Sequence, residues 1–452
     1  MRRPSVFSLF SGCGGLDLGF KSRGFELAYA CDTDPAAVDC FRRNVDSHAV
    51  VRSVESQEFR DDLKAIGKID VVLGGFPCQG FSKAGPKVES DPRNLLYTEM
   101  RNAVAQLEPA VFVAENVDGM SQNFGGVFLN RIVSEFGDLG YTVDFKILQA
   151  AEFGVPQHRR RIFFVGVRNS LSSTFEWPQP THQVAARNGE FRVSSHPTLW
   201  EKPHRKKRPS VTIGDAIGDI RSLNAKIPDH AVTNAWPTKY QAVFQAIGHG
   251  QKLCNVRHSD TSVYTWMIPK VFGKVSPREV AILETIAKNR RHKIYGSIPN
   301  GNPLNRECIE QLASIENVSN DISSLLRKGY LKQIGDRFDL KGAMFCSGLF
   351  KRPRWDEAAP TVLTNFHNPR YFLHPLEDRP FSLRECARLQ SFPDSFQIGS
   401  DSVDLVSGYR LIGNAVPPAL SGLIAESVYN VITQKSRRED RHEATIPTLV
   451  TR

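Results

Sequence analysis

Between residue 5 and about residue 167, short apolar runs alternate with longer stretches whose apolar residues recur every three or four positions. "VFSLF", "ELAYA", "DVVLGGF", "VFVAENV" and "RIFFVGV" read as strands; "AAVDCFRRN", "LLYTEMRNAVAQL" and "FLNRIVSEFGDLG" read as helices. Strands separated by helices cannot pair as hairpins. They form βαβ units in a doubly wound, mostly parallel sheet that binds its ligand at the carboxyl ends of the strands. An α/β fold follows, and each unusual loop of this region does follow a strand.

The first such loop lies in "FSLFSGCGGLDLGF", a strand, a glycine-rich turn and a helix start. Gly12, Gly14 and Gly15 let the backbone approach a ligand and aim amides at it. The pattern is neither G-x-G-x-x-G nor a P-loop. The second strand ends in "ACDTDP", where Asp32 can accept hydrogen bonds from ribose hydroxyls and Asp34 is placed to cap the helix opening at Pro35. A nucleoside cofactor is the expectation.

The chemistry-bearing residues follow later strands. Pro77-Cys78-Gln79 comes after the third, Glu115-Asn116-Val117 after the fourth. A thiol and a carboxylate at neighbouring strand ends suit a nucleophile and an acid. In "FGVPQHRRRIFFVGV", alternation sets Gln157, Arg159 and Arg161 on one face of the entering strand and His158 and Arg160 on the other. Three polar groups entering a core need something to bind.

"FSLFSGCGGLDLGF", "GGFPCQGFS", "ENV", "QHRRR", "RECARLQSFPDSF" and "GYRLIGNAVPPA" together resemble the ordered motifs of the DNA (cytosine-5-)-methyltransferases, over roughly 5–170 and 359–433. The resemblance implies a Rossmann-like methyltransferase fold, S-adenosylmethionine as methyl donor and cytosine in duplex DNA as substrate. Cys78 would add to C6 of a flipped-out base, and Glu115 would hold its N3 and amine. Arg161 would contact the base and steady Glu115, with Gln157 and Arg159 in the same catalytic motif. Around the cofactor the resemblance places Phe10, Ser11, Gly12, Gly14, Gly15, Leu16, Asp32, Thr33, Ser53, Val54, Pro77, Asn414 and Val416. One departure stands out: "VRSVESQEF" has Ser53 where the family has an acidic adenine contact, with Glu55 as the substitute.

The rest of the chain is organised around this. Residues 1–171 form the first part of the catalytic domain, and 359–433 return to it, with a last helix at about 417–433 beside the first strand. Residues 172–358 lack the βαβ rhythm and stand where the family's target-recognition domain does. Within them a helix with Ser319 as N-cap and Gly329 past its end leads into a hairpin turning at Gly335-Asp336, a winged-helix-like segment near 305–345. Lys328, Lys332 and Arg337 are its candidate phosphate contacts. "EKPHRKKRPS" (201–210) reads as a basic linker, and 434–452 as a disordered tail.

Composition agrees with that class. The 452 residues are 40% hydrophobic and 23% charged, with a net charge of +10 suited to a polyanion. The eight cysteines show no metal-ligand spacing. Residues 6–10 are too short for a signal-peptide core, and no apolar run long enough for a membrane is evident. The expectation is a cytoplasmic, nucleoid-associated monomer that binds duplex DNA and no metal. It works alongside a restriction endonuclease that is not a bound subunit. Two other readings compete, a catalytically silent DNA-binding relative and a nucleotide-dependent oxidoreductase with a reactive cysteine. Retention of Cys78, Glu115 and Arg161 argues against the first, and the QHRRR motif against the second.

Overall fold

The computed structural model describes residues 2–77, 96–121, 127–184, 207–224, 226–233, 236–255, 258–298, 301–341 and 348–443; for Ser121, Val127 and residues 434–443 it describes the backbone alone. The chain divides into two compact units. The larger comprises Met1–Ala231, Asp356–Thr364 and Ser382–Arg452; the smaller comprises Val232–Trp355 and Asn365–Phe381.

The larger unit is built on seven strands: β1 (Ser5–Leu9), β2 (Glu26–Asp32), β3 (Val50–Val51), β4 (Val71–Gly74), β5 (Val111–Val117), β6 (Tyr141–Gln149) and β7 (Arg160–Arg168). Their order is β3-β2-β1-β4-β5-β7-β6, the first five parallel and β7 antiparallel to both neighbours. The order reverses between β1 and β4, so the loops after β1 and β4 part there and open a crevice. Helices α1 (Gly15–Lys21), α2 (Pro35–Asn44), α3 (Gln57–Ala65), α4 (Tyr97–Leu107) and α5 (Val127–Gly137) cover the sheet. Phe59 and Leu63 of α3, Met100 and Val104 of α4, and Ile132 and Phe136 of α5 pack on Phe7, Val72 and Phe112 in one buried cluster.

The strands that alternate with helices lie where the apolar runs place them. Missing from the sequence reading were β3, α3 and β6. Strand β6 is at the sheet edge and exposes much of its middle, so "YTVDFKILQ" carries no continuous apolar run. Helix α3 is short, and its start is fixed by Ser56, whose hydroxyl accepts from the Phe59 amide at 3.1 Å. A cap of this kind contributes about 1 kcal/mol. Asp34 caps α2 as expected, accepting from Ala36 N at 3.1 Å.

The return of the chain is tied to the loop after β1 and to α1. The Gly15 Cα lies so close to the Val416 carbonyl that any side chain there would collide with it, and the Ser421 hydroxyl bonds the Leu16 carbonyl. The last helix, Pro418–Glu443, packs along α1. It runs past the expected end at 433, because residues 434–443 hold no glycine or proline and are mostly good helix formers. Residues 444–452, the rest of the expected tail, lie outside the described residues. Leu405–Thr433 is long and apolar enough to cross a membrane, which the sequence reading overlooked. It breaks at Ala415–Pro417 and is mostly buried inside the unit, as core helices are.

The units also differ from the boundaries expected at 172 and 358. Residues 172–231 belong to the larger unit. Thr181 N bonds Glu152 O at 2.9 Å, and the Asp229 carboxylate accepts from Ile398 N, Gly399 N and the buried Arg384. Asn365–Phe381 belong to the smaller one: His374 O takes a 2.8 Å bond from Arg352. Such pairings between distant backbone groups leave no periodic trace. Of the basic linker, 201–206 lie outside the described residues.

The smaller unit has its own apolar core. Helices Pro277–Asn289, Arg306–Ala313 and Ser319–Arg327 enclose Ile282, Leu283, Ile286, Ile309, Ile322 and Leu325, closed by a hairpin of Leu331–Ile334 with Arg337–Leu340. Leu304 pairs antiparallel with Phe338 and adds a third strand position. The turn has Gly335 at φ +62°, the left-handed region that favours glycine. Ser319 is the first helical residue rather than the cap; the cap position is Val318, whose amide bonds Glu310 Oε1 at 3.0 Å.

Candidate active site

The glycine turn after β1 is a backbone cradle. Phe10 (φ +54°), Gly12 (φ +55°) and Gly14 (φ +87°) take left-handed conformations, and Gly14 N closes the turn on Ser11 O at 3.0 Å. Space around Gly12 is open where a side chain would sit. Asp32 braces the turn: one carboxylate oxygen accepts from Gly12 N at 2.9 Å and the other from Asp34 N at 2.9 Å. Burial raises the Asp32 pKa above the usual carboxylate range. The buried Ser11 hydroxyl has no hydrogen-bond partner among the described residues.

Around the cradle stand the other residues expected there. Leu16 and Val54 are buried, Pro77 is half-buried, and Thr33 and the Asn414 side chain are exposed. Val416 meets Gly15. Ser53 accepts from the Glu55 amide at 3.3 Å, a local turn, while Glu55 itself is exposed. A free hydroxyl, an open glycine and a carboxylate at the end of β2 fit a nucleoside cofactor.

Across the crevice, β5 carries Glu115 and β7 carries Arg161. The antiparallel register sets Val117 opposite Arg161, which brings Arg161 Nε to 2.9 Å from Glu115 Oε1. Glu115 is 8% exposed. Burial pushes its carboxyl above the usual range despite the arginines nearby, and burial likewise lowers the Arg161 pKa. Gly75 joins the two halves: a Cβ there would lie 3.7 Å from Glu115 Oε2 and 3.8 Å from the Phe10 carbonyl. The Asn116 amide holds the loop after β4 by donating to Phe76 O at 3.0 Å. Cys78, two residues further on, lies outside the described residues.

The face shared by Gln157, Arg159 and Arg161 is real, but its members do different work. Gln157 is fully buried and donates to Leu389 O at 2.9 Å while accepting from Val362 N at 3.0 Å. Arg159, equally buried, donates to Val362 O, Gly413 O and Asn414 O at 3.1, 3.1 and 3.3 Å. Both were expected among the catalytic residues. They instead clamp the returning segments to the sheet, because the strand end that carries them is overlaid by chain from 359–364 and 389–415. Arg160 faces the other way, 3.4 Å from Asp118.

Two further groups were not singled out from sequence. Asn116 was quoted only as part of its motif, and Asp17 was missed. The Asp17 carboxylate is fully buried, with the Ser8 hydroxyl beside it. An acidic residue on an otherwise apolar helix face was its available signal. Among the described residues no cluster of three or more His, Cys, Asp or Glu is placed to hold a metal, and six cysteines are free.

A seven-stranded, doubly wound sheet with a glycine cradle at β1 and a buried carboxylate–arginine pair beyond the switch point is an arrangement that suits a methyltransferase. A more particular placement comes from known proteins: residues 5–430 match the C-5 cytosine-specific DNA methylases, and the chain belongs to that family. It is a DNA (cytosine-5-)-methyltransferase. It is 30% identical to the type II methyltransferase M.AgeI of Thalassovita gelatinovora, over 94% of this chain and 98% of that one. To M.NgoFVII of Neisseria gonorrhoeae it is 29% identical, over 98% and 90% of the two chains. It also shares its fold, at 23% identity and a TM-score of 0.51, with a solved E. coli chain described as a prophage-encoded DNA modification methyltransferase; 95% of this chain and 99% of that one are covered.

Proposed function

We propose that the chain transfers a methyl group from S-adenosylmethionine to C5 of a cytosine flipped out of a specific duplex sequence, through a covalent bond from Cys78 to C6. The observation that carries this reading is the buried Glu115–Arg161 pair, 2.9 Å apart and one glycine away from the cofactor cradle. Cytosine C5 is too weak a nucleophile to take a methyl group unaided. A Cys78 thiolate adding at C6 pushes an electron pair towards C5 and N3. Burial raises the Glu115 pKa, which favours the protonated carboxyl that can give a proton to N3 as that charge builds. Arg161 fixes the carboxyl and supplies positive charge beside the base. When C5 gives its proton to water, the C–H electrons re-form the C5–C6 double bond and expel the Cys78 thiolate, N3 returns its proton to Glu115, and the base leaves methylated.

When bound, S-adenosylmethionine supplies an electrophilic methyl group. Ser11, Gly12, Gly14, Gly15, Leu16 and Asp32 would hold it, with Phe10 beside its adenine and Asn414 and Val416 closing the methionine end. The base must leave the helical stack to reach so enclosed a carboxylate. The type II methyltransferases to which the chain is similar support a role in protecting DNA from a separate, cognate restriction endonuclease.

The test is transfer of labelled methyl to duplex DNA, with a duplex carrying 5-fluorocytosine at the target. Fluorine at C5 cannot leave as a proton, so the wild-type protein is expected to remain covalently attached. Full trapping by Cys78→Ser would overturn the assignment, and absence of any transfer by the wild-type protein would overturn the function.

A further inference from the structure

We propose that the helix Ser319–Arg327 of the smaller unit enters the major groove of duplex DNA and reads base edges with Asn320, Ser323 and Arg327. The inference rests on the reading that the chain acts on DNA, and adds which residues choose the sequence.

Charge is the first observation. The smaller unit contains 21 Lys and Arg against 11 Asp and Glu, an excess of +10 that equals the net charge of the whole chain. The larger unit is therefore balanced. A surface that concentrates the entire excess in under a third of the residues suits a polyanion.

Connectivity is the second. Residues 277–340 run helix, strand position, helix, helix, hairpin around a private apolar core, which is the arrangement of a winged helix. In such modules the second helix of the closely turned pair lies in the groove. Here that helix is Ser319–Arg327.

The third is the chemistry of its outer face. Ile322 and Leu325 fasten the helix to the core. Asn320, Ser323 and Arg327, spaced three and four apart, form one exposed stripe. Asn matches adenine, Arg matches guanine, and Ser adapts to either. Asp321, the single acid of this helix, is neutralised by Arg278 at 3.2 Å. Arg327 has no acidic partner among the described residues, nor has Arg337 on the hairpin. Other basic residues have carboxylate partners: Arg290 is buried against Asp339 at 2.7 Å, and the exposed Lys328 and Lys332 are held by Glu279 at 2.8 Å and Asp339 at 3.7 Å.

Asn320→Ala, Ser323→Ala and Arg327→Ala are compared with the wild type by sequencing the cytosines methylated in a pool of randomised duplexes. Lys288→Ala, on an outer face of another helix, is the control. All four positions are exposed, so melting temperatures should be unchanged. At least Asn320→Ala and Arg327→Ala are expected to relax preference at one base pair each by roughly 10- to 100-fold, leaving the others intact. Profiles identical to the wild type, or a loss spread evenly over all sequences, would overturn the proposal. Should the wild type methylate no DNA, the proposed function falls, and the same proteins are ranked by the duplexes they retain from the random pool. The same single-position criterion then decides the helix.

Discussion

Arg161 and Glu115 face each other at 2.9 Å, from strands that run in opposite directions, with little water reaching either. Removing one partner leaves the other buried without the group that faces it. Arg161→Ala should therefore lower both activity and melting temperature, whereas Glu115→Gln keeps the shape and loses the proton donor. We expect Glu115→Gln to reduce methyl transfer by roughly 100- to 10,000-fold with cofactor affinity nearly unchanged. Because burial raises the Glu115 pKa, the wild-type rate should fall on the alkaline side as that proton is lost. A Gln variant with a near-normal rate would remove Glu115 from the chemistry.

Arg159 predicts a different phenotype. Truncation to Ala would strip the donor from two buried carbonyls, at Val362 and Gly413, and from the part-buried one at Asn414. A loss of roughly 3–5 kcal/mol is expected in denaturant unfolding. Arg159→Lys, unable to span all three, should recover only part. If Arg159→Ala folds normally but is inactive, the residue works at the base after all.

Asp17 makes stability depend on pH. Burial pushes its carboxyl up to about 7, far above the value near 3.9 of an unfolded chain. The folded state thus favours the neutral acid, so its contribution is fully present below about pH 4 and is lost as pH rises towards 7. Asp17→Asn should melt higher than wild type at pH 8, and the difference should shrink towards pH 4. Equal melting at pH 8 would mean that Asp17 finds a partner in solution.

Gly15 tests the seam between the chain's two ends. A methyl group at Gly15 would collide with the Val416 carbonyl, which cannot swing aside as a flexible side chain would. Gly15→Ala should weaken S-adenosylmethionine binding, read by calorimetry, more than DNA binding, read by gel shift.

On the hairpin, Lys332 and Arg337 are exposed, Lys332 with Asp339 at 3.7 Å; Lys328, also exposed, is engaged more closely by Glu279 at 2.8 Å. If the first two meet phosphates, each alanine substitution should flatten the log–log salt dependence of DNA binding by about 0.9. Lys328→Ala should leave that slope alone and cost stability. An unchanged slope in the double variant Lys332→Ala/Arg337→Ala would place this hairpin off the DNA backbone.

The sequence by itself determined the parallel sheet, because period-two and period-3.6 apolar patterns encode local geometry directly. It also determined the cradle at Gly12, Gly14 and Gly15, the cap at Asp34 and the face shared by Gln157, Arg159 and Arg161, all of which are short-range. What that face binds was decided only by the tertiary structure. Arg161 reaches a carboxylate on β5, while Gln157 and Arg159 spend their donors on carbonyls more than 200 residues away. The same holds for Lys328, an ordinary surface lysine in sequence that Glu279 captures across two helices. It holds too for residues 172–231, drawn into the larger unit by Asp229. A polar side chain is satisfied by whatever donor or acceptor the packing brings near it, and local pattern carries no record of that choice.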